Sequence, residues 1–391
     1  MNIRLLYFFF LLSIAQGMMA QFSSLGVVKD SVYIDKRCKI SLSRENLYVA
    51  TGQGLYKFEI WNADKGWEKM AMTDNAVYDF EVRGDTVIAL SETSLFISTD
   101  KGETTKKITI DSIVPEWDKG HILKYLRGMA IHPFNTKKIH IAHNKGISYT
   151  EDGGNRWIVV DTLLWMEGLF YNPLNSQNLI GYYNQTSPDF ANVYISKDGG
   201  FNWESVRGYV GATTTIFHNV TFHPTDENKI MICGTGIYAI SEDQGHTWTK
   251  IGKEPSDPSM GVKPLVNLDY VLYDPRYTNI LYGADFTAMH ENKIRILRSM
   301  DGGFEWNTFY IIDEGFSNRV ESMCINEGIL VIYTMKGNIY ILDVDAVEAS
   351  ISPAETKSNI AITPYYDLQG RPVAHPTSGI YIKDGRKVIL R

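Results

Sequence analysis

The chain has 391 residues, with 38 Lys and Arg against 45 Asp and Glu, which gives a net charge of −7. This balance argues against a nucleic-acid or anionic-membrane partner, because such partners select a basic surface. The 23 Tyr, 17 Phe and 8 Trp are typical of a strand-rich protein, and the length suffices for one large all-β domain with short appendages.

The first 20 residues predict a signal peptide. Arg4 supplies the positive charge, residues 5–14 are apolar, and small or neutral residues lead to a cleavage point after Ala20. The apolar run is short for a membrane span. No Cys follows it to carry a lipid anchor. We therefore expect the chain to leave the cytoplasm and to be secreted or displayed at the cell surface.

A short phrase with the pattern S/T-x-D-x-G-x-x-W recurs through the middle of the chain. Each copy lies between two apolar, β-prone runs; residues 236–240 and 249–251, for example, flank the copy at 241–248. A strand, a polar turn and a second strand predict a β-hairpin. Full copies occupy residues 150–157, 196–203, 241–248 and 299–306, a copy without the Trp occupies 98–105, and a decayed copy occupies 62–67.

The Asp of each phrase is predicted to be structural. Its carboxylate can accept backbone N–H groups within the turn, the Gly supplies a positive φ, and the Trp covers the hairpin with a large apolar face. Six copies cannot all serve one active site. The predicted structural aspartates are Asp100, Asp152, Asp198, Asp243 and Asp301.

A second signal precedes most phrases: an X-Pro dipeptide that ends an apolar strand. Together the two signals divide the chain into units of four strands, and units of about 40–50 residues suit the blades of a β-propeller. Such blades bury both faces only when the ring closes. The X-Pro pairs begin at His132, Asn172, His223 and Asp274, and the units lie near 27–70, 75–110, 124–160, 167–206, 217–251, 265–309 and 319–345. Seven blades are predicted. Six or eight stay open, because the first and last units are degenerate and the last has no Asp turn.

The repeated phrase resembles the Asp-box, or bacterial neuraminidase repeat, of β-propellers. That group includes sialidases, xyloglucanase-type glycoside hydrolases, sortilin-type receptor domains and photosystem-assembly-factor-like proteins, so the resemblance implies a fold and leaves the activity open. Sialidases use an arginine in a Phe/Tyr-Arg-Ile-Pro motif to hold the substrate carboxylate. This chain has no such motif, and sialidase activity is disfavoured.

The last 30 residues form a separate pattern. Residues 365–373 and 379–388 predict two hairpin-like strand pairs with Gly turns. Their order, YDLQGRPV, GIYI and GRKV, resembles the C-terminal sorting domain of the type IX secretion system in Bacteroidetes bacteria. The resemblance implies export through that machinery, with the tail removed or kept as an anchor. The predicted domains are a signal peptide 1–20, a propeller 21–345, a linker 346–361 and a sorting domain 362–391.

In propellers, ligands usually meet the face opposite the Asp turns, where the B–C loops and the D-to-A links lie. Aromatic side chains there can stack on sugars, and carboxylates can bind hydroxyl groups or act as a hydrolytic pair. Taken singly, each such residue fits packing between blades or solvation better than ligand binding, and it is their collective enrichment that favours a polar ligand at this face. The predicted ligand-binding residues are Trp117, Trp165, Tyr183, Tyr209 and His290, and the candidate catalytic acids are Asp118, Glu167, Asp285 and Asp313.

The favoured hypothesis is an exported propeller that binds a glycan or a peptide. One alternative is a glycoside hydrolase or lyase that acts on extracellular polysaccharide. Another is a protein-binding scaffold, sortilin-like or assembly-factor-like, which predicts a broad apolar patch on the loop face. We expect a monomer with no cofactor and no metal site. Cys38, Cys233 and Cys324 are too few and too scattered for a disulfide framework, although a Cys38–Cys324 bridge stays open if the first and last blades meet.

Overall fold

The computed structural model describes residues 22–27, 39–43, 46–60, 65–72, 76–77, 79–114, 126–162, 166–184, 193–206, 216–253, 263–264, 266–313, 318–350, 365–366, 372–373, 379–383 and 386–390. Seven four-stranded antiparallel sheets form the blades of a β-propeller, which confirms the predicted fold class and blade number. The strands of each blade are named A to D in the order in which they pair. Strand A of one blade contacts strand A of its neighbours around most of the ring, so the A strands line the central channel and the D strands form the rim.

Blades 1 to 3 each come from one continuous stretch of chain. Blade 1 contains Ile40–Leu42, Asn46–Thr51, Gly54–Glu59 and Trp67–Lys69. Blade 2 contains Asp79–Arg83, Thr86–Leu90, Ser94–Ser98 and Lys106–Thr109. Blade 3 contains Leu126–Ile131, Ile139–His143, Gly146–Thr150 and Ile158–Asp161.

Blades 4 to 6 follow the same plan. Blade 4 contains Gly168–Tyr171, Leu179–Tyr182, Val193–Ser196 and Glu204–Ser205. Blade 5 contains Ile216–Phe222, Ile230–Thr235, Ile237–Ser241 and Thr249–Lys250. Blade 6 contains Leu268–Tyr273, Leu281–Asp285, Lys293–Ser299 and Asn307–Asp313.

Blade 7 joins the two ends of the propeller. Its strands A to C are Val320–Asn326, Ile329–Thr334 and Asn338–Asp343, and its strand D is Phe22–Val27 from the start of the chain. The sequence-based start of blade 1 at residue 27 was therefore wrong, because the first strand belongs to the last blade. This exchange also explains why the last unit has no Asp turn, since no chain segment connects its strands C and D.

The hydrophobic core is divided among the seams between blades. The buried apolar residues form seven clusters in the part of the chain that the structure describes, one at each seam. Strand alternation produces this arrangement, because successive side chains point to opposite faces of a sheet. In strand B of blade 5, Ile230 and Ile232 face blade 4, whereas Met231 and Cys233 face blade 6.

A short helix, Val344–Ser350, directly follows strand C of blade 7. Asp343 accepts the backbone N–H groups of Asp345 and Ala346, which caps the helix, and Val344 and Val347 are buried at the seam between blades 6 and 7. Residues 346–350 of this helix lie in the stretch that was predicted as a linker. Smaller elements are the helix Ile110–Ile113, the 3₁₀ helix Phe286–Glu291, and a strand pair of Gly252–Lys253 with Lys263–Pro264.

The C-terminal strands form a separate four-stranded sheet. Tyr365–Tyr366 pairs with Pro372–Val373, Gly379–Lys383 pairs with Arg386–Leu390, and Tyr366 pairs with Ile382 to join the two hairpins. Two strand pairs were predicted here. The sorting role of this tail stays a prediction.

Cys324 carries a free thiol, Cys233 is buried, and Cys38 lies outside the described residues. A Cys38–Cys324 disulfide was left open by the sequence, and the Cys324 thiol forms no disulfide in the structure. Burial raises the pKa of Cys324, which keeps it protonated at neutral pH. None of the described helices is both long enough and apolar enough to cross a membrane.

Candidate functional site

The repeated turns share one hydrogen-bonding scheme, seen clearly in the copy at 241–248. The Ser241 hydroxyl donates to Asp243 Oδ1 at 2.9 Å and accepts the N–H of Gly245 at 2.8 Å. Asp243 Oδ1 in turn accepts the N–H of Thr247 at 2.8 Å. The same bonds form around Asp100, Asp152, Asp198 and Asp301. Each Asp satisfies its own turn, which favours the predicted structural role.

The Gly of each turn, and the Trp of the four copies that have one, extend into the seam with the preceding blade. Trp203, Trp248 and Trp306 donate their indole N–H to the carbonyl of the turn Gly at 2.8–2.9 Å and pack among residues of the previous blade. At Gly303, φ is +100° and a Cβ would lie 2.3 Å from the Tyr238 hydroxyl of blade 5. The turn therefore joins blades together as well as closing a hairpin.

We expect Asp243→Ala to lower the free energy of unfolding by about 1 kcal/mol, because one N–H and two hydroxyl groups lose a charged acceptor. These hydrogen bonds lower the pKa of Asp243 in the folded state, and the pKa of Asp152 falls to about 2. A lowered folded-state pKa stabilises the fold above the unfolded value of about 4, and this contribution is lost as the pH falls towards 2. Urea unfolding at pH 7 and pH 3 should therefore show a smaller effect of the substitution at pH 3. Glu242→Ala, at an exposed neighbour, is the control, and equal losses in both variants would contradict the assignment.

In each X-Pro pair, the side chain of the residue before the Pro caps the turn between strands A and B. His132 Nδ1 accepts the N–H of Phe134, His223 Nδ1 accepts that of Thr225, and Asn172 and Asp274 do the same for residues two positions ahead. These histidines are therefore engaged in local structure, as the sequence indicated. No group of three or more potential metal-binding side chains occurs among the described residues.

The A–B turns and the repeated C–D turns lie on one face of the ring, called here the turn face. Backbone bonds tie them together in blades 3 to 6, for example from Gly153 N–H to Lys137 O and from Gly302 N–H to Asn279 O. The opposite face, called here the mouth face, therefore carries the B–C turns, the D-to-A links and the starts of the A strands. The candidate ligand-binding residues were predicted for this mouth face.

Ionisable residues gather where the A strands begin, around the mouth of the central channel. Four of them, Arg127, His218, Asp269 and Glu321, occupy register shifts in the pairing of strand A with strand B. Such β-bulges re-aim side chains and are frequent beside functional sites. This set, called here the mouth collar, comprises Lys39, Asp79, Arg127, Glu167, His218, Asp269, Arg319 and Glu321.

The collar residues pair with one another, mostly across seams. Lys39 Nζ of blade 1 lies 3.2 Å from Asp79 Oδ1 of blade 2, and Arg127 lies 3.0 Å from Glu167 across the seam between blades 3 and 4. His218 Nδ1 lies 3.1 Å from Asp269 Oδ1 across the seam between blades 5 and 6. This is an ion-pair distance, but the two atoms are not aligned for a hydrogen bond. Arg319 and Glu321 pair at 2.9 Å within blade 7. These pairs give partly buried ionisable groups a partner of opposite charge.

The pairing at Lys39 controls three ionisation equilibria. Burial alone would lower the pKa of Lys39, but Asp79 and Glu81, at 3.2 and 3.3 Å, outweigh it and raise that pKa. Burial raises the pKa of Asp79 in spite of Lys39, whereas Lys39 and Arg83 together overcome burial and lower the pKa of Glu81. Opposite shifts in neighbouring carboxylates occur at functional centres and in structural ion-pair networks alike.

Glu167 and Tyr183 are the two candidates that the structure brings together. Glu167 accepts from Arg127, and the Arg127 guanidinium lies 5.8 Å from the centre of the Tyr183 ring, a cation–π arrangement. The neighbouring Asn184 exchanges two hydrogen bonds with the backbone of Phe217 in blade 5. This polar and aromatic group spans blades 3 to 5 on the mouth face.

Asp285, His290 and Asp313 lie on blade 6, separated from Glu167 by blade 5. Asp285 accepts from Thr287 and from Arg295 at 2.8 Å, which uses both its oxygens at the start of the 3₁₀ helix. His290 is exposed in that helix, and Asp313 is exposed at the end of strand D opposite Lys293. The candidates Trp117, Asp118, Trp165 and Tyr209 lie outside the described residues, so their roles stay predictions.

Most of the collar was missed by sequence reasoning, which considered only loops. The sequence did contain a signal: a charged residue or a His lies at or next to the start of the A strands. This signal can be recognised only when the strand boundaries are known. The central channel also contains a cavity of about 310 Å³, lined by the A strands of blades 5, 6 and 7 and by Pro224 and Pro275 of their A–B turns. Tyr270, Thr221 and Cys324 contribute to its wall.

Several solved structures are similar to this chain. The GH74 xyloglucanase from Xanthomonas campestris superposes with a TM-score of 0.61 at 14% identity, over 83% of this chain and 54% of that one. The GH74 enzyme of Niastella koreensis gives 0.61 at 14% identity, over 94% and 60%. YCF48 bound to D1 peptide gives 0.59 at 15% identity, over 82% and 96%. No protein-family model and no curated protein matches this chain.

These likenesses establish the propeller fold and nothing more specific, because every identity is low. The chain spans just over half the length of the two GH74 proteins but nearly the whole length of YCF48. YCF48, nearly all of which is covered, was solved with a bound D1 peptide, whereas the GH74 proteins contain a large amount of additional chain.

Proposed function

We propose that this chain is an exported seven-bladed propeller that binds a glycan or a peptide at its mouth face and lacks sialidase activity. The mouth collar is the observation that supports this best. Its ion pairs border the channel with fixed donors and acceptors, and the Arg127–Tyr183 stack adds an aromatic surface beside them. Polar ligands are oriented by a few such groups placed on a rigid scaffold.

Binding is favoured over hydrolysis by the state of the described carboxylates. Glu167 and Asp285 each contact an arginine, and Glu167 lies on a different blade from Asp285 and Asp313. Asp285 and Asp313 share blade 6, but strand C lies between them with Arg295 and Lys293. A hydrolytic pair needs two carboxyl groups on either side of one glycosidic bond, about 5–10 Å apart. The length match with peptide-bound YCF48 further supports a binding propeller.

A glycoside hydrolase is the second candidate, supported by the likeness to the GH74 enzymes. Its catalytic acids would come from Asp118, Glu167, Asp285 and Asp313. In either case we propose that the protein is exported, because it begins with a predicted signal peptide and its tail resembles a type IX sorting domain. The same resemblance leads us to propose the type IX secretion machinery as a partner.

The test is a glycan array, a peptide library and a polysaccharide-depolymerisation assay, run together on residues 21–350. We expect binding without release of reducing ends. Arg127→Met should weaken it at least tenfold, because this change removes the partner of Glu167 and the cation over Tyr183. Arg298→Met, which removes a cation from blade 6, is the control. Release of reducing ends, abolished by Glu167→Gln or Asp285→Asn, would replace the binding proposal with the hydrolase.

A further inference from the structure

Two histidines lie in the seam between blades 3 and 4, inside a group of aromatic rings. His140, in strand B of blade 3, is fully buried, and its ring centre lies 4.6 Å from that of Tyr149 and 5.6 Å from that of Tyr171 in blade 4. The ring of His132 lies 5.4 Å from the same Tyr171 ring, and Phe201 of the blade 4 turn completes the group. These residues are called here the seam cluster.

The contacts of His140 suit a neutral imidazole. Its Nδ1 lies 2.9 Å from the Tyr171 hydroxyl, whereas its Nε2 makes no hydrogen bond with the residues that the structure describes. Nε2 lies against Gly200 of blade 4, where a Cβ would come within 2.5 Å of it. Protonation would place an N–H group on both nitrogens, and the one at Nε2 would be buried without an acceptor.

The groups that face His140 do not offset a positive charge. Tyr171 and Tyr149 stay protonated, because burial raises the pKa of both phenols and the exposed Glu151 adds to the effect at Tyr149. In the adjoining turn of blade 4, Asp198 accepts N–H groups of its own turn. A proton on His140 would therefore remain an uncompensated charge inside the seam.

Both histidines of the seam cluster hold protons weakly in the folded state. Burial lowers the pKa of His140 to about 3, and the neighbouring His132 lowers it further. Burial also lowers the pKa of His132, and the cations Lys138 and Arg83 add to this effect. In the unfolded state a histidine has a pKa of about 6.5, so the closed seam loses stability as the pH falls below that value. The aspartates of the repeated turns lose their contribution mainly below about pH 4, so the histidines respond first.

The histidines of blade 5 are arranged in the opposite way. His218 lies 3.1 Å from Asp269 across the seam between blades 5 and 6, and His246 lies 3.7 Å from Glu204 of blade 4. A proton on either histidine would be attracted by its carboxylate. Mild acid therefore acts against the seam between blades 3 and 4 and not against these two contacts.

We propose that the seam between blades 3 and 4 is a pH-sensitive contact that opens in mild acid and closes again at neutral pH. Histidines that must be neutral in one of two conformations are a common basis of such switches. The Arg127–Glu167 pair crosses the same seam on the mouth face, so opening would separate these two residues. Release of a mouth ligand in acid would follow. That consequence rests on the function proposed above, whereas the opening of the seam does not.

The experiment is hydrogen–deuterium exchange with mass spectrometry on residues 21–391 at pH 7.5 and pH 5.0, without ligand and with rates corrected for the intrinsic effect of pH. One histidine held neutral in the closed seam predicts an opening constant about thirtyfold higher at pH 5.0. We expect this rise in Ile139–His143 and Gly168–Tyr171, on the two sides of the seam. Ile329–Thr334 of blade 7, whose strands contain no histidine, is the internal reference and should change far less.

Substitution of the buried histidine tests the cause. His140→Phe should remove most of the rise in blades 3 and 4, because a phenyl ring occupies a similar volume and takes no proton. His246→Gln, at a histidine that faces a carboxylate, is the control and should keep the rise of the parent chain. Equal rises in blades 3 and 7, or a rise that persists in His140→Phe, would overturn the proposal.

A second measurement uses the unchanged protein and decides the matter if His140→Phe does not fold. In protein with isotope-labelled histidine, the Hε1 resonance of His140 should keep its neutral position at pH 5.0 as long as the seam is closed. Movement of that resonance in the folded protein with a midpoint near about pH 6.5 would overturn the proposal, because the closed seam would then accommodate the imidazolium.

Discussion

A chain that begins at residue 28 is expected to lose its cooperative unfolding transition. Such a chain lacks strand D of blade 7, whose backbone pairs Phe22 with Leu342, Ser23 with Ile341 and Ser24 with Tyr340. Without it, Asn338–Asp343 becomes an open sheet edge. A propeller is stable only as a closed ring. We expect a loss of more than about 5 kcal/mol, comparable to the whole stability of many domains.

Circular dichroism and differential scanning calorimetry on chains 21–350 and 28–350 measure this loss. A synthetic peptide of residues 21–30 should restore the transition of the shorter chain in a concentration-dependent way, because it supplies the missing strand in trans. Chain 21–350, which lacks the C-terminal strands, is the control and should unfold like the full chain. Equal transitions for both chains, without peptide, would show that the first strand does not close the ring.

This closure clarifies what a repeat pattern can predict. The phrase S/T-x-D-x-G marks the junction of strands C and D, so five blades could be located from their turns alone. A terminal strand has no such junction, and Phe22–Val27 carries no turn signal that assigns it to a partner more than 300 residues away. The pairing follows from closure of the ring, a property of the whole chain that no local pattern encodes.

The mouth was harder to predict than the fold for a related reason. Tyr183 and Glu167 were named from the aromatic and acidic content of their loops, and their role in ligand binding stays a prediction. The collar itself depends on which residue of each A strand falls at the channel mouth, and four of these positions are β-bulges. A bulge changes register by one residue, so alternation in the sequence does not predict where Arg127 or His218 will point.

The second large effect is expected at Lys39, where Lys39→Met should lower the free energy of unfolding by about 2 kcal/mol at pH 7.5. Breaking a fully buried ion pair costs about 3–5 kcal/mol, and the partial access of water to Lys39 reduces that figure. The substitution leaves Asp79 and Glu81 side by side without the ammonium group that neutralises them, 3.2 and 3.3 Å away in the parent chain. Lys65→Met, at an exposed lysine that pairs with Glu59, should leave the free energy of unfolding almost unchanged.

The pH dependence identifies the cause of that loss. Without Lys39, burial and the nearby Glu81 raise the folded-state pKa of Asp79 further above its unfolded value of about 4, whereas Arg83 still pairs with Glu81. A raised carboxyl pKa means that the folded state binds protons more tightly, so the variant regains stability as the pH falls. Guanidinium chloride unfolding should therefore show a smaller difference between Lys39→Met and the parent chain at pH 4.5 than at pH 7.5. A difference that is the same at both pH values would attribute the loss to missing packing of the lysine stem. Side-chain packing, and not the ion pair, would then stabilise this part of the collar. The ion pair could then open to bind a ligand at little cost in stability.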